Sequence, residues 1–262
     1  MFKITYESIV LEKYDSLARI IFNRPEKLNA ISSTMSIEIK RAFSELASDD
    51  RIRTVVVTGN PRIREKDGRQ EIRHCFSVGC DLSEAAAVEP ITEMIAEFGK
   101  PVIAMINGYA FGGGYEIALA CDFIIASDNA EIGMPEIKRG LMPGWGGTQR
   151  LPRRIGAARA KWMIFTGDTV NGAEAAAIGL VDWLVKREEL DQFVTGLALK
   201  IASGPPLGLA KIKETIDTGI GKDLPEALKI EQEALKFLLQ TEDFREGINA
   251  FMEKRNPNWK GR

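Results

Sequence analysis

Two glycine-rich turns and two glutamates are the parts of this sequence whose types and spacing could do chemistry. The stretch Asn107-Gly108-Tyr109-Ala110-Phe111-Gly112-Gly113-Gly114-Tyr115-Glu116 comes after an apolar run, Val102 to Ile106, and leads straight into a helical pattern. Three successive glycines at a helix start remove every Cβ and leave N–H groups unpartnered at the positive end of the helix dipole, which builds an anion or oxyanion site. A phosphate-binding loop would carry lysine and serine or threonine after its glycines, and here Tyr115 and Glu116 stand instead. A carboxylate in that first turn repels phosphate but suits acid–base work on a neutral ligand. Close helix–strand packing is the plainer use of the same glycines.

Upstream, Phe76-Ser77-Val78-Gly79-Cys80-Asp81-Leu82-Ser83-Glu84 also joins an extended stretch to a helix-like one, so the Cys80 N–H is a second candidate donor. Two N–H groups from separate helix starts can converge on one carbonyl oxygen and stabilise an enolate or tetrahedral oxyanion. The Cys80 sulfur is a weaker candidate, because the chain holds one histidine, His74, to serve as its base. Downstream lies Met134-Pro135-Glu136, and beyond it Pro143-Gly144-Trp145-Gly146-Gly147-Thr148-Gln149-Arg150-Leu151. Glu136 alone would read as a surface carboxylate. Beside Glu116 it becomes one of a pair that can share a proton, one member serving as base and the other as acid.

The elements that must hold these groups alternate. Leu17–Phe22, Thr54–Thr58, Val102–Ile106, Phe123–Ala126 and Leu180–Val185 are short and rich in β-branched residues, so they read as strands. Ser33 reads as the N-cap of a helix carrying Met35, Ile39, Phe43 and Leu46 on one stripe, ended by Ser48-Asp49-Asp50. Such alternation predicts an α/β protein. Between Arg62 and Arg73, the central Asp67-Gly68 predicts a type I′ hairpin with Ile63 opposite Ile72, either a solvated loop or a set of arginines for a phosphate-bearing ligand. After Lys186 the pattern is helical alone: 188–202, 207–217, 224–239 and 244–252. The sequence therefore divides into a core at 1–187 and a helical region at 188–262. The stripe of Leu224, Leu228, Ile230, Leu235, Leu238 and Leu239 is too apolar for water, so it packs on its own body or on another subunit.

Composition narrows the classes. Hydrophobic residues at 45% and charged residues at 27% fit a globular protein. Thirty-five Lys plus Arg against 37 Asp plus Glu leave a net charge of −2, so no global field draws the chain to nucleic acid or an anionic membrane. Zinc-type Cys/His spacings are absent, and no apolar run is long enough to span a bilayer. Three cysteines, an odd number, and charges after Met1-Phe2-Lys3-Ile4 in place of an apolar leader make the cytoplasm the expected compartment.

Taken in order, Asn-Gly-x-x-x-Gly-Gly-Gly-x-Glu at 107–116, Pro-Glu at 135–136 and Pro-Gly-x-Gly-Gly-Thr-Gln-Arg-Leu at 143–151 identify a resemblance. The chain resembles the enoyl-CoA hydratase/isomerase, or crotonase, superfamily from the Arg24-Pro25-Glu26-Lys27-Leu28-Asn29-Ala30 loop to Glu253-Lys254-Arg255. The resemblance implies a spiral of β-β-α turns with a C-terminal helical trimerisation region, the trimers usually pairing into hexamers. It implies that the Cys80 and Gly113 N–H groups form the oxyanion hole for an acyl-CoA thioester. By the same resemblance Asp81, Leu82 and Ser83 line the acyl-CoA site, Gly144 lies beside the attacking water, and Glu116 and Glu136 are the two glutamates of the hydratases. The implied activity is addition of water to a 2-enoyl-CoA to give a 3-hydroxyacyl-CoA, with no metal or redox cofactor and coenzyme A entering as part of the substrate. The 60–74 hairpin is longer than short-chain hydratases usually carry, and Trp145 stands where a small residue is common. Both keep open a specialised crotonase acting as isomerase, cyclic dienoyl-CoA hydratase or hydratase-lyase on an aromatic-derived or cyclic acyl-CoA. A crotonase-like RNA-binding or scaffold protein is a third reading, opposed by the charge balance and the intact glutamate pair.

Overall fold

The computed structural model describes residues 2–262, apart from the side chain of Lys66. The first three strands, β1 (Phe2–Thr5), β2 (Ile9–Tyr14) and β3 (Leu17–Phe22), form an antiparallel meander. Helix α1 (Ser33–Ala47) then carries the chain back so that β4 (Thr54–Gly59) pairs parallel to β3. The α1 N-cap is Ser32, not Ser33: the Ser32 hydroxyl accepts from the Met35 N–H at 3.1 Å, and Ser33 is the first helical residue. Such a cap contributes about 1 kcal/mol.

From β4 onward the chain repeats one pattern of strand, short strand, helix. The hairpin β5 (Arg62–Lys66) and β6 (Arg69–Arg73) leads to β7 (Cys75–Ser77) and α2 (Thr92–Ala96). The next turn is β8 (Val102–Ile106), β9 (Tyr109–Phe111) and α3 (Gly113–Leu119). The third runs β10 (Phe123–Ser127), β11 (Glu131–Gly133), α4 (Gly147–Ile155) and α5 (Ala157–Thr166), and β12 (Thr169–Asn171), α6 (Gly172–Ile178) and β13 (Trp183–Val185) close it. One set of strands forms a seven-stranded sheet ordered β1-β2-β3-β4-β8-β10-β13, and the three-residue strands β12-β11-β9-β7 form a four-stranded sheet in that order. This is the spiral of β-β-α turns that the resemblance implies. Because β7 and β9 pair in parallel, the turns leaving their C-terminal ends emerge at the same edge.

Why the strands are so apolar is explained by their cover. Every residue of β4 and β8 is buried, as parallel strands covered on both faces require. Val55 and Val57 face the cluster holding the α1 stripe of Met35, Ile39, Phe43 and Leu46. Val56 faces the other side, where Leu190, Val194 and Ala198 of α7 (Leu190–Ala202) pack on Leu17, Ile103 and Ile125. Helix α7 is thus part of the body, although the sequence pattern changes just before it. The remaining helices are α8 (Pro206–Gly219), α9 (Leu224–Leu238) and α10 (Glu242–Glu253). Helix α9 packs beside α8 but buries no residue, so Leu224, Leu228 and Leu235 of the stripe are exposed. The chain's own body does not take that face. Among the described residues, no single helix is long and apolar enough to cross a membrane.

The hairpin has the predicted register, Ile63 opposite Ile72, with Asp67 and Gly68 at φ 52° and 71° as a type I′ turn demands. Strand β13 is shorter than predicted, since only Trp183–Val185 pairs with β10.

Candidate active site

Gly112 caps α3 with φ 51° and ψ −128°, a backbone conformation that an L side chain rarely adopts. Its conformation aims the start of α3 at the second turn. A Cβ on Gly79 (φ 93°) would stand 3.0 Å from the Gly113 nitrogen, and one on Gly113 would stand 3.4 Å from the Cys80 nitrogen. The two amides are therefore neighbours across a gap that only glycines leave open.

Among the described residues both lack a backbone acceptor, for different reasons. Gly113 opens α3, so its N–H has no partner within the helix. Cys80 does not open a helix, contrary to the sequence-based expectation. It sits in an isolated parallel bridge with Ile31, where the Ile31 N–H donates to Gly79 C=O at 2.8 Å and the Asp81 N–H donates to Ile31 C=O at 2.9 Å. In such a bridge the middle residue's own N–H points the other way, here toward Gly113. Asn29 anchors this arrangement from beneath. It is fully buried, its side-chain amide donates to Cys75 C=O at 2.9 Å and Asn60 C=O at 3.0 Å, and its C=O accepts from the Ser77 hydroxyl at 2.7 Å.

Glu116, on the first turn of α3, is buried. Its Oε1 accepts from the Trp145 and Gly147 N–H groups, both at 2.7 Å. Burial pushes its carboxyl above the usual range, while the Gly147, Trp145 and Gly144 amides pull it back. Glu136 sits in a 3₁₀ turn, Pro135–Arg139. Its Oε1 is 2.7 Å from where a Cβ on Gly112 would lie, and its Oε2 is buried with no hydrogen-bond partner among the described residues. Burial first, and then the Glu116 charge, push the Glu136 carboxyl up to about 7. A carboxyl poised there can hold or give a proton at neutral pH.

The other predicted positions divide. Gly144 is exposed at the mouth, with open space where a side chain would go. Leu82 is also exposed. Asp81 and Ser83 spend their polar groups on each other: the Asp81 carboxylate accepts from the Ser83 N–H at 3.2 Å and hydroxyl at 2.7 Å, and pairs with Arg24 at 3.1 Å. They fix the turn bearing Cys80. The Cys80 thiol is held above its ordinary range by burial and by Asp81 and Glu84, and His74 is occupied by Arg187, 3.1 Å from its Nδ1. Gly112, Gly147 and Asn29 escape sequence reasoning as individuals; the Gly146-Gly147 pair is the one local signal for the Glu116 contact. Among the described residues no group of three or more His, Cys, Asp or Glu side chains could hold a metal ion.

Comparison with known proteins places the chain in a family. The enoyl-CoA hydratase/isomerase family model matches residues 12–262, and the chain belongs to that family. A crotonyl-CoA hydratase from Syntrophomonas wolfei is 38% identical over 260 residues, covering 98% of this chain and 99% of that protein. A short-chain-enoyl-CoA hydratase from Clostridium acetobutylicum is 37% identical, covering 95% of each. The crystal structure of enoyl-CoA hydratase from Bacillus anthracis superposes with a TM-score of 0.88 at 36% identity, over 98% of this chain and 100% of that one.

Proposed function

We propose that this protein is an enoyl-CoA hydratase that adds water across the double bond of a 2-enoyl-CoA. The carrying observation is the pair of free amides, Cys80 and Gly113, near the buried Glu116 and the half-buried Glu136, whose Oε2 is buried and unpartnered among the described residues. Conjugate addition needs donors for the thioester oxygen as it gains charge, a base for water and an acid for the α-carbon. The Cys80 and Gly113 N–H groups take the oxygen. Glu116, its Oε1 fixed by two amides, orients and deprotonates the water near Gly144. Glu136, free at Oε2 and titrating near neutrality, delivers the α-proton. The two carboxyls titrate as a coupled pair, so the division of labour belongs to the pair.

No cofactor is required by this chemistry, and coenzyme A comes with the substrate. Free Cys75, Cys80 and Cys121 support a reducing, cytoplasmic setting. The uncovered α9 face supports self-association as a trimer or hexamer through the C-terminal region. The test is loss of enone absorbance with crotonyl-CoA; no hydration of it or of any longer or cyclic enoyl-CoA in a panel would remove the proposal.

A further inference from the structure

Trp145 stands beside the proposed thioester site, and its backbone is pinned at both ends. Its N–H donates to Glu116 Oε1 at 2.7 Å, and its C=O accepts from the Thr92 hydroxyl at 2.6 Å and Arg150 Nη1 at 3.2 Å. The Trp145 backbone cannot shift far without releasing Glu116. Its Cε3 and Cζ3 lie 3.0 Å from the point where a Cβ on Gly113 would stand, the same point that lies 3.4 Å from the Cys80 nitrogen. The six-membered ring therefore borders the gap between the two free amides.

Two uses of such a ring are open, filling the core or bounding a ligand. A fully buried tryptophan usually finds an acceptor for its N–H. The Trp145 indole N–H has no protein acceptor among the described residues, and the residue is only half-buried, one side on the core. The six-membered ring meets the gap beside the Gly113 and Cys80 amides.

We infer that the Trp145 indole is a wall that ends the acyl pocket and selects short 2-enoyl groups. The inference rests on the hydratase reading and adds a specificity residue to it. A thioester oxygen held by Cys80 and Gly113 puts the first acyl carbons against the ring. A four-carbon enoyl group ends there, and a longer chain has to turn the ring out of its packing on the core. A hydrophobic pocket discriminates about 10-fold or more per methylene, so several surplus methylenes against the ring give strong rejection.

The experiment compares kcat/KM for crotonyl-CoA and trans-2-decenoyl-CoA in wild-type enzyme, Trp145→Phe and Trp145→Ala. Wild-type enzyme is expected to favour the four-carbon substrate by at least about 100-fold. The decenoyl-to-crotonyl ratio is expected to rise at least about 10-fold in Trp145→Ala, with Trp145→Phe between. The ratio of inhibition constants for butyryl-CoA and decanoyl-CoA, which needs no turnover, should shift in the same direction. Wild-type enzyme that takes decenoyl-CoA as readily as crotonyl-CoA overturns the inference even if no variant folds, and so does an unmoved ratio in folded variants. Absence of hydration by wild-type enzyme on every enoyl-CoA would instead overturn the hydratase reading.

Discussion

Glu136 Oε1 lies 2.7 Å from the position a Cβ on Gly112 would take, so the glycine that caps α3 also makes room for the Glu136 carboxyl. Gly112→Ala meets two penalties there. The φ of 51° with ψ of −128° disfavours any Cβ, at a cost of about 1–3 kcal/mol. The methyl must also push the Glu136 carboxylate aside, and an ångström of misplacement can cost about 100-fold in rate. Gly112→Ala is therefore expected to lose about 10–100-fold in kcat while remaining folded by circular dichroism. A folded variant with wild-type kcat would show that the carboxylate need not stand where the structure has it.

The two carboxyls should separate in their pH dependence. Glu136 titrates at about 7 in the folded protein against an ordinary value of 4.5, so the native state binds more protons than the unfolded one between those values. Stability attached to this group is complete below about pH 4.5, declines as pH rises toward 7, and is level above. Glu116 shifts in the same direction through burial. Urea midpoints for wild-type protein and Glu136→Gln, measured between about pH 5 and pH 8, should show the variant gaining on wild type as pH rises. In turnover, Glu116→Gln and Glu136→Gln should each lower kcat about 10²–10⁴-fold, and the alkaline fall in wild-type hydration should begin near pH 7. Parallel urea curves would place Glu136 in a more hydrated setting, and near-normal kcat in either variant would remove that residue from the chemistry.

Legibility in the sequence tracks physical locality. Strand β8 has the predicted bounds because five buried aliphatic residues lie between a proline and an asparagine. The α1 stripe and the hairpin register are legible for the same reason: periodicity and turn chemistry act within a few residues. Strands β7, β9, β11 and β12 are three residues each, too short for any period, and exist only because partners distant in sequence pair with them. The Cys80 amide marks the limit most clearly. Its candidacy in the sequence rests on a helix start that is not there, and what frees it is a bridge to Ile31, far along the chain and invisible to local patterning. Likewise, nothing near Glu116 in sequence announces that Trp145 and Gly147 supply its hydrogen bonds.

Because the claim on Cys80 concerns its backbone, Cys80→Ala should retain most activity. The thiol is held protonated by burial and by the charges of Asp81 and Glu84, and it donates only a long contact of 3.7 Å to Asp81 C=O. A nucleophilic cysteine needs the opposite environment. Initial rates with crotonyl-CoA before and after iodoacetamide, on wild type and Cys80→Ala, check this. Loss of turnover in well-folded Cys80→Ala protein would assign work to the sulfur.

The exposed face of α9 makes a prediction about assembly. Leu224 at 69%, Leu228 at 44% and Leu235 at 54% exposure recur at helical spacing on a helix that buries nothing of its own. Ile212 and Ile216 of neighbouring α8 are each 57% exposed, which extends the apolar surface beyond one helix. Monomeric soluble proteins rarely leave so continuous an apolar area in water, and self-association through a closed symmetric interface would cover it. Wild-type protein should therefore elute as an oligomer by size-exclusion chromatography with light scattering. A charge in a buried interface core is strongly unfavourable, so Leu228→Asp combined with Leu235→Asp should shift the mass toward the monomer. Since α9 contributes nothing to the chain's own core, each subunit should keep its far-ultraviolet circular dichroism. A double variant with the wild-type mass would place the interface elsewhere, and a monomeric wild-type protein would leave this face to another partner.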